Sequence, residues 1–239
     1  MIYHHNHIPR TAGTFIHTPI ASLLNSRGVS YSVVFQNSNI DDDKMKRSKY
    51  IFGHIGCYPE AILEDVCSFS VVRNPFERFI STFNYFSENV FNVKPTVELL
   101  ETWVYDPLYS EVHSNIQTKF LTGSSNKTLW NASTRSERVH HGWMIENYET
   151  DIGKIINRIE TTRIVSLENL DLLLDWLAKI NNEEYGFQLY NRRSPVNESS
   201  RLDFIVPKSI RSRIEELNNI DFHLYEHVKM NENKLANGV

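Results

Sequence analysis

The stretch IYHHNHIPRTAGTFIHTPIASLLN, residues 2–25, reads as a short strand, a tight turn and a helix. The same alternation continues along the chain, with short apolar or β-branched runs separated by longer segments of helical period. That pattern belongs to an α/β protein with a mostly parallel sheet. Strands are expected at Ile2 to Ile8, Tyr31 to Phe35, Tyr50 to Gly53, Phe69 to Val72 and Arg163 to Ser166. Helices are expected from Gly13 to Asn25, Pro75 to Glu88, Thr96 to Val104, His113 to Leu121, Asp151 to Ile159, Leu170 to Ile180, Pro207 to Leu217 and Phe222 to Asn233. The charged stretch Asp41 to Lys49 reads as a solvated loop, and Ser124 to Glu137 as a surface loop. After Ser166 the pattern is almost wholly helical, and no linker divides residues 1–239, so a single domain is expected.

Open parallel sheets bind ligands at the carboxyl ends of their strands, so the residues that follow each strand decide function. After the first strand, His7-Ile8-Pro9-Arg10-Thr11-Ala12-Gly13-Thr14-Phe15 runs into a helix. Such a turn places backbone amides at the positive end of a helix dipole, which suits a phosphate or sulfate. Arg10 adds a permanent cation, and the Thr11 and Thr14 hydroxyls add donors. A plain helix cap would use the same residues, and the Walker pattern G-x-x-x-x-G-K-[ST] is missing. After the fourth strand comes SVVRNPFERFISTFNYF, residues 70–86. At 100° per residue Phe76, Phe79, Ile80, Phe83 and Phe86 gather on a core face, opposite Asn74, Arg78, Ser81 and Tyr85. Arg73 and Ser81 can reach one phosphate over the helix start. Arg78, Asn84 and Tyr85 fit a solvated polar face equally well.

Together HIPRTAGT and VVRNPFERFISTFNYF resemble the two cofactor signatures of sulfotransferases, in particular the carbohydrate branch that includes heparan sulfate 2-O-sulfotransferase. The resemblance implies a P-loop-like three-layer α/β fold with a central sheet of about five strands and a helical C-terminal third. It implies 3′-phosphoadenosine 5′-phosphosulfate as co-substrate, its 5′-phosphosulfate on Arg10, Thr11, Ala12, Gly13, Thr14 and Phe15, and its 3′-phosphate on Arg73 and Ser81. Phe52-Gly53-His54-Ile55 resembles the family's G-H-[VIL] element, which makes His54 the expected general base, its ordinary pKa near 6.5 being suited to that work. Without the resemblance, a hydrogen-bonded core histidine is the simpler reading of His54. Residues 115–123, NIQTKFLTG, are similar to a helical segment of the branch, Ile164 to Leu173 to its last core strand and following helix, and Tyr190 to Ser194 to a basic loop that brings Arg192 and Arg193 to the cofactor. The family carries lysine where this chain has Arg10. A guanidinium acts as a fixed charge and donates no proton to the bridging oxygen, but a departing phosphate is already a stable anion.

Composition closes off other classes. With 25 Lys and Arg against 29 Asp and Glu, the formal charge is −4, which argues against a nucleic-acid binder. A hydrophobic share of 41% excludes disorder, and no run of about 18 apolar residues offers a membrane span. The N-terminal residues lack a signal peptide's basic start and apolar run, and two cysteines, Cys57 and Cys67, are too few for a disulfide framework. The expectation is a soluble cytoplasmic enzyme of microbial or viral origin, or a trimmed catalytic domain of a membrane-anchored one, acting on a hydroxyl acceptor, expected to be a glycan. His5 and His7 on one strand face, with His140 and His141, invite a metal reading, and Asp41 to Asp43 a calcium one. Neither has the ligand spacing, and the transfer reaction needs no metal. A nucleotide-dependent kinase and a non-catalytic nucleotide-binding module are the other readings; the missing Walker lysine speaks against the kinase.

Overall fold

The computed structural model describes residues 1–34, 41–123, 148–185 and 202–236. Within them β1 (Ile2–Asn6), β2 (Tyr31–Val34), β3 (Tyr50–Gly53), β4 (Val66–Val72) and β5 (Arg163–Ser166) form one all-parallel sheet in the order β2-β3-β1-β4-β5. The helices are α1 (Gly13–Ser26), α2 (Asp42–Lys46), α3 (Tyr58–Ile62), α4 (Pro75–Tyr85), α5 (Val97–Tyr105), α6 (Pro107–His113), α7 (Ile116–Thr122), α8 (Ile152–Thr161), α9 (Leu170–Tyr185), α10 (Lys208–Leu217) and α11 (Asn219–Ala236). None of these is long and apolar enough to cross a membrane.

Strand alternation sorts the layers. Tyr3, Phe52, Phe69, Val71 and Val165 pack with Ile16, Ile20 and Leu24 of α1 and Leu173 and Leu177 of α9. A larger cluster joins Phe79 and Phe83 of α4 to Trp103, Phe120, Ile214 and Leu224. Central β1 is buried on both faces, so its polar side chains need internal partners, an unpaired one costing about 1–3 kcal/mol. His4 Nδ1 lies 3.1 Å from Ser68 Oγ, His5 Nδ1 3.2 Å from the Tyr50 hydroxyl, and Asn6 Nδ2 donates to the Phe120 carbonyl at 2.7 Å.

From β1 the chain passes to β2 on one side of the sheet, whereas β4 leads to β5 on the other. The switch point between adjacent β1 and β4 opens a crevice at their carboxyl ends, and both phosphate-type loops lead into it.

Several local expectations change. The stretch Asp41 to Lys49 contains a helix, α2, because Asp41 caps it by accepting from Lys44 N at 2.9 Å and Met45 anchors it in the core. The short α3 follows Cys57 with proline in its first turn. The helix expected from His113 to Leu121 starts later, as α7 at Ile116, after Asn115 turns left-handed at φ 45°, and a separate helix, α6, ends at His113. Helix α4 ends at Tyr85 and continues as a π-helical turn from Phe86 to Phe91. Arg78 is not on a solvated face: its side chain is fully buried, donating to the His113 carbonyl at 3.1 Å.

Candidate functional site

The loop after β1 is bent by two non-glycine residues in the left-handed region, Arg10 at φ 70° and Ala12 at φ 62°. Each such residue costs of order 1–3 kcal/mol, and left-handed backbone of this kind shapes anion-binding concavities. Helix α1 starts on Ala12 with no side-chain cap, whereas α2, α4, α5 and α8 are capped by Asp41, Asn74, Thr96 and Asp151. No side chain of this loop caps α1, which is also true of the starts of α3 and α10. Thr11 is buried and donates its hydroxyl to the Ile8 carbonyl at 2.8 Å, closing the turn instead of facing a ligand. Thr14 is exposed, and the Phe15 ring packs into the core beside α1. The first-turn amides of Gly13 to Phe15 have no intrahelical acceptor, which makes them the loop's candidate anion donors.

Gly13 is needed for space. A Cβ there would come within 1.8 Å of His7 Nε2. The His7 ring has little room to yield, since it stacks on Phe52 at 4.9 Å and 17° and its Nδ1 sits 2.8 Å from His54 Nε2. Gly13→Ala is expected to destabilise the fold by about 1–3 kcal/mol through overpacking. In a thermal melt that is a fall of about 2–4 °C per kcal/mol for a chain of this size; an unchanged Tm would show that the ring is free to move.

Arg10 does not stay with its own loop. Its Nε donates to Ser81 Oγ at 3.1 Å, and its guanidinium lies 4.9 Å over the Tyr85 ring. Two residues expected in separate halves of the site thus meet. Arg73, at the end of β4, is buried, with Nη2 3.9 Å from the exposed Glu77 carboxylate. Its main chain is gripped on both sides: Arg73 N donates to Gln117 Oε1 at 2.7 Å, and Gln117 Nε2 donates to the Arg73 carbonyl at 2.9 Å. Burial lowers both guanidinium pKa values, and the charge of Arg73 further disfavours that of Arg10, while Tyr85 favours it. Two like charges are therefore held within electrostatic reach at a partly buried crevice.

His54 follows β3, next to the end of β1, because the parallel register sets Asn6 beside Gly53. His5, His7, His17 and His54 form a cluster with Phe52 and Tyr50: His5 and His7 are 5.8 Å apart, and His17 stacks on Phe52 at 4.0 Å and 8°. Burial lowers His54 to about 4 and carries His5 and His7 well below the ordinary imidazole range, so these rings are neutral near pH 7. Ring contacts and hydrogen bonds occupy His5 and His7. Among the described residues no three metal-ligating side chains converge. His140, His141, Arg192, Arg193 and the Tyr190 to Ser194 segment lie outside the described residues.

Sequence reasoning brought Arg10, Gly13, His54, Arg73 and Ser81 to this crevice. It missed Gln117, whose role depends on a contact 44 residues away, and the pairing of His7 with His54, for which adjacent strand ends were the available signal. A model described as the sulfotransferase family matches residues 4–227. No curated protein matches the chain. Among solved structures the chain is similar to mouse sulfotransferase SULT7A1 complexed with PAP, at 12% identity and a TM-score of 0.37, over 90% of this chain. The match spans 63% of that mouse chain.

Proposed function

The chain belongs to the sulfotransferase family, and from that premise we propose that it moves a sulfuryl group from 3′-phosphoadenosine 5′-phosphosulfate to an acceptor hydroxyl on a carbohydrate. The observation that carries the reading is an uncapped helix start set beside two mutually repelling guanidiniums, Arg10 and Arg73, where β1 and β4 end. A ligand with several negative charges relieves that repulsion and satisfies the open amides. The carbohydrate acceptor rests on the likeness of the two cofactor signatures and of residues 115–123 to the carbohydrate branch.

In this reading the amides of Gly13 to Phe15 and Arg10 hold the 5′-phosphosulfate, and Arg73 with Ser81 holds the 3′-phosphate. Arg10, bonded to Ser81, serves both ends. Arg192 and Arg193 complete the basic set. The co-substrate supplies an activated sulfuryl group, whose S–O bond to the 5′-phosphate breaks as the acceptor oxygen bonds to sulfur. His54 receives the hydroxyl proton. Arg10 and the cradle amides stabilise charge on the departing phosphate, one such donor contributing roughly 3 kcal/mol.

A thermal-shift comparison tests the reading without a known acceptor. At about 100 times its dissociation constant, 3′-phosphoadenosine 5′-phosphate should add about 2.7 kcal/mol, a rise of roughly 5–10 °C for a chain of this size. ATP should add far less, and stronger stabilisation by ATP would sink the proposal. Labelled-sulfate transfer across a panel of glycan, lipid and small-molecule hydroxyls then identifies the acceptor.

A further inference from the structure

We infer that Tyr85 is a positioning residue: with Ser81 it forms a seat on α4 that holds the Arg10 guanidinium at the crevice and makes this position select arginine over lysine. The inference rests on the reading of Arg10 as a ligand of the co-substrate, and deepens it by naming what aims that side chain.

The seat begins as helical geometry. Ser81 and Tyr85 stand one turn apart on α4, so their side chains share a face. Arg10 reaches that face from the loop after β1 and meets both residues at once. Its Nε donates to Ser81 Oγ at 3.1 Å, and its guanidinium carbon lies 4.9 Å from the centre of the Tyr85 ring, within the range of a cation–π contact. The two contacts use different properties of the group: Ser81 accepts one N–H, whereas the ring attracts the charge as a whole. A lysine ammonium is a single point charge. It has no Nε along its stem to bond Ser81 while the head lies over the ring.

Both supports are themselves fixed. Ser81 is fully buried. Tyr85 ends α4, where its carbonyl accepts from Asn89 Nδ2 at 3.1 Å in the π-helical turn, and its ring meets Phe86 edge-on at 5.7 Å and 84°. Phe86 is buried and packs 5.7 Å from Trp103, so the core braces the tyrosine although Tyr85 itself is 39% exposed. Arg10 needs such a support. It leaves a strained backbone at φ 70°, and both burial and the charge of Arg73 disfavour its own charge, whereas Tyr85 favours it. Two like charges left to themselves swing apart; the seat keeps Arg10 near Arg73, where one ligand with several negative charges can meet both. Tyr85 thus acts through Arg10.

The test combines proton spectra of the ligand-free protein with calorimetry using 3′-phosphoadenosine 5′-phosphate. The native protein should show nuclear Overhauser contacts between the Arg10 side chain and the Tyr85 ring protons. Tyr85→Leu should weaken nucleotide binding by roughly threefold to thirtyfold, the span of one cation–π contact, and Tyr85→Phe, which keeps the ring, should recover most of that affinity. Arg10→Lys should weaken binding as well, and adding Tyr85→Leu to it should cost little more, because the seat has already lost its guanidinium. A merely structural tyrosine would instead give losses that add. Absence of the Overhauser contacts in the native protein would overturn the inference even if every variant failed to fold. So would unchanged affinity in Tyr85→Leu, equal losses in Tyr85→Leu and Tyr85→Phe, or additive losses in the double variant. If the contacts are present and the native protein binds no nucleotide, the seat stands and the co-substrate reading alone falls.

Discussion

His54→Ala is expected to leave 3′-phosphoadenosine 5′-phosphate bound and to lower kcat by about 10²–10⁴-fold, the usual contribution of a positioned general base. In the proposed reading the affinity should survive because the α1 amides, Arg10 and Arg73 hold the anion and the imidazole does not. The pH profile adds a second check. Desolvation lowers His54 to about 4, so it remains an unprotonated base through neutral pH. Turnover should be flat near pH 7 and fall only as the pH approaches about 4. Stability follows the same sign. The unfolded imidazole, with an ordinary pKa near 6.5, binds more protons than the folded one between the two values. His54 therefore contributes stability that is present above about 6.5 and is lost as pH falls towards its folded value. His4, lowered to about 3 chiefly by burial, acts in the same direction. Circular dichroism at each pH separates unfolding from loss of the base in the kinetics. Turnover retained in His54→Ala would place the proton acceptor elsewhere.

How far the sequence foretells these features depends on how local their physics is. The loop from His7 to Phe15 and the strand-end Arg73 were legible because strand, turn and helix start lie within a dozen residues, and their meaning follows from where parallel strands end. Gly13 was legible as part of the turn into α1, but the reason a glycine stands there was not: the neighbour that needs the space, His7, is set by the register of β1 against β3. The partner of the Thr11 hydroxyl was hidden for a similar reason. A hydroxyl beside a cradle looks like a ligand donor until the turn brings the Ile8 carbonyl within 2.8 Å. Arg78 sits on the polar side of a helical wheel, yet a wheel shows only the helix itself. What lies against that side comes from α6 and α11, distant in the chain. The helix in the charged stretch after Asp41 was legible in principle from the Asp41 cap and the buried Met45, but charge density outweighed both.

The largest stability effect is expected at Asp221, where that distant cover is concentrated. Asp221 is fully buried in the first turn of α11. Its carboxylate accepts from Gln117 N at 3.0 Å, Thr118 N at 2.8 Å and the Thr118 hydroxyl at 2.8 Å, capping α7, and its charge favours the buried Arg78 guanidinium. The capping is reciprocal, since Asn115 Oδ1 accepts from Ile220 N and Asp221 N at 3.1 Å each. Burial lowers Arg78 to about 10 and raises Asp221, so each charge depends on the other to remain ionised inside the protein. Asp221→Ala removes the partner of a buried cation and leaves three donors unpaired, a change that typically costs about 3–5 kcal/mol. At 2–4 °C per kcal/mol, the Tm should fall by roughly 10 °C. Combining it with Arg78→Met removes the stranded charge, so the double variant should be less destabilised than the sum of the singles, with a coupling of about 0.5–3 kcal/mol. A functional consequence follows, because α7 also carries Gln117, the side chain that holds the Arg73 backbone on both sides. Loosening α7 should weaken nucleotide binding as well as the fold, whereas Gln117→Ala should weaken binding with the smaller stability cost of two lost hydrogen bonds, about 1–3 kcal/mol. A loss of less than about 1 kcal/mol in Asp221→Ala would mean that water replaces the carboxylate, since only an unreplaced partner carries the full penalty of a buried charge.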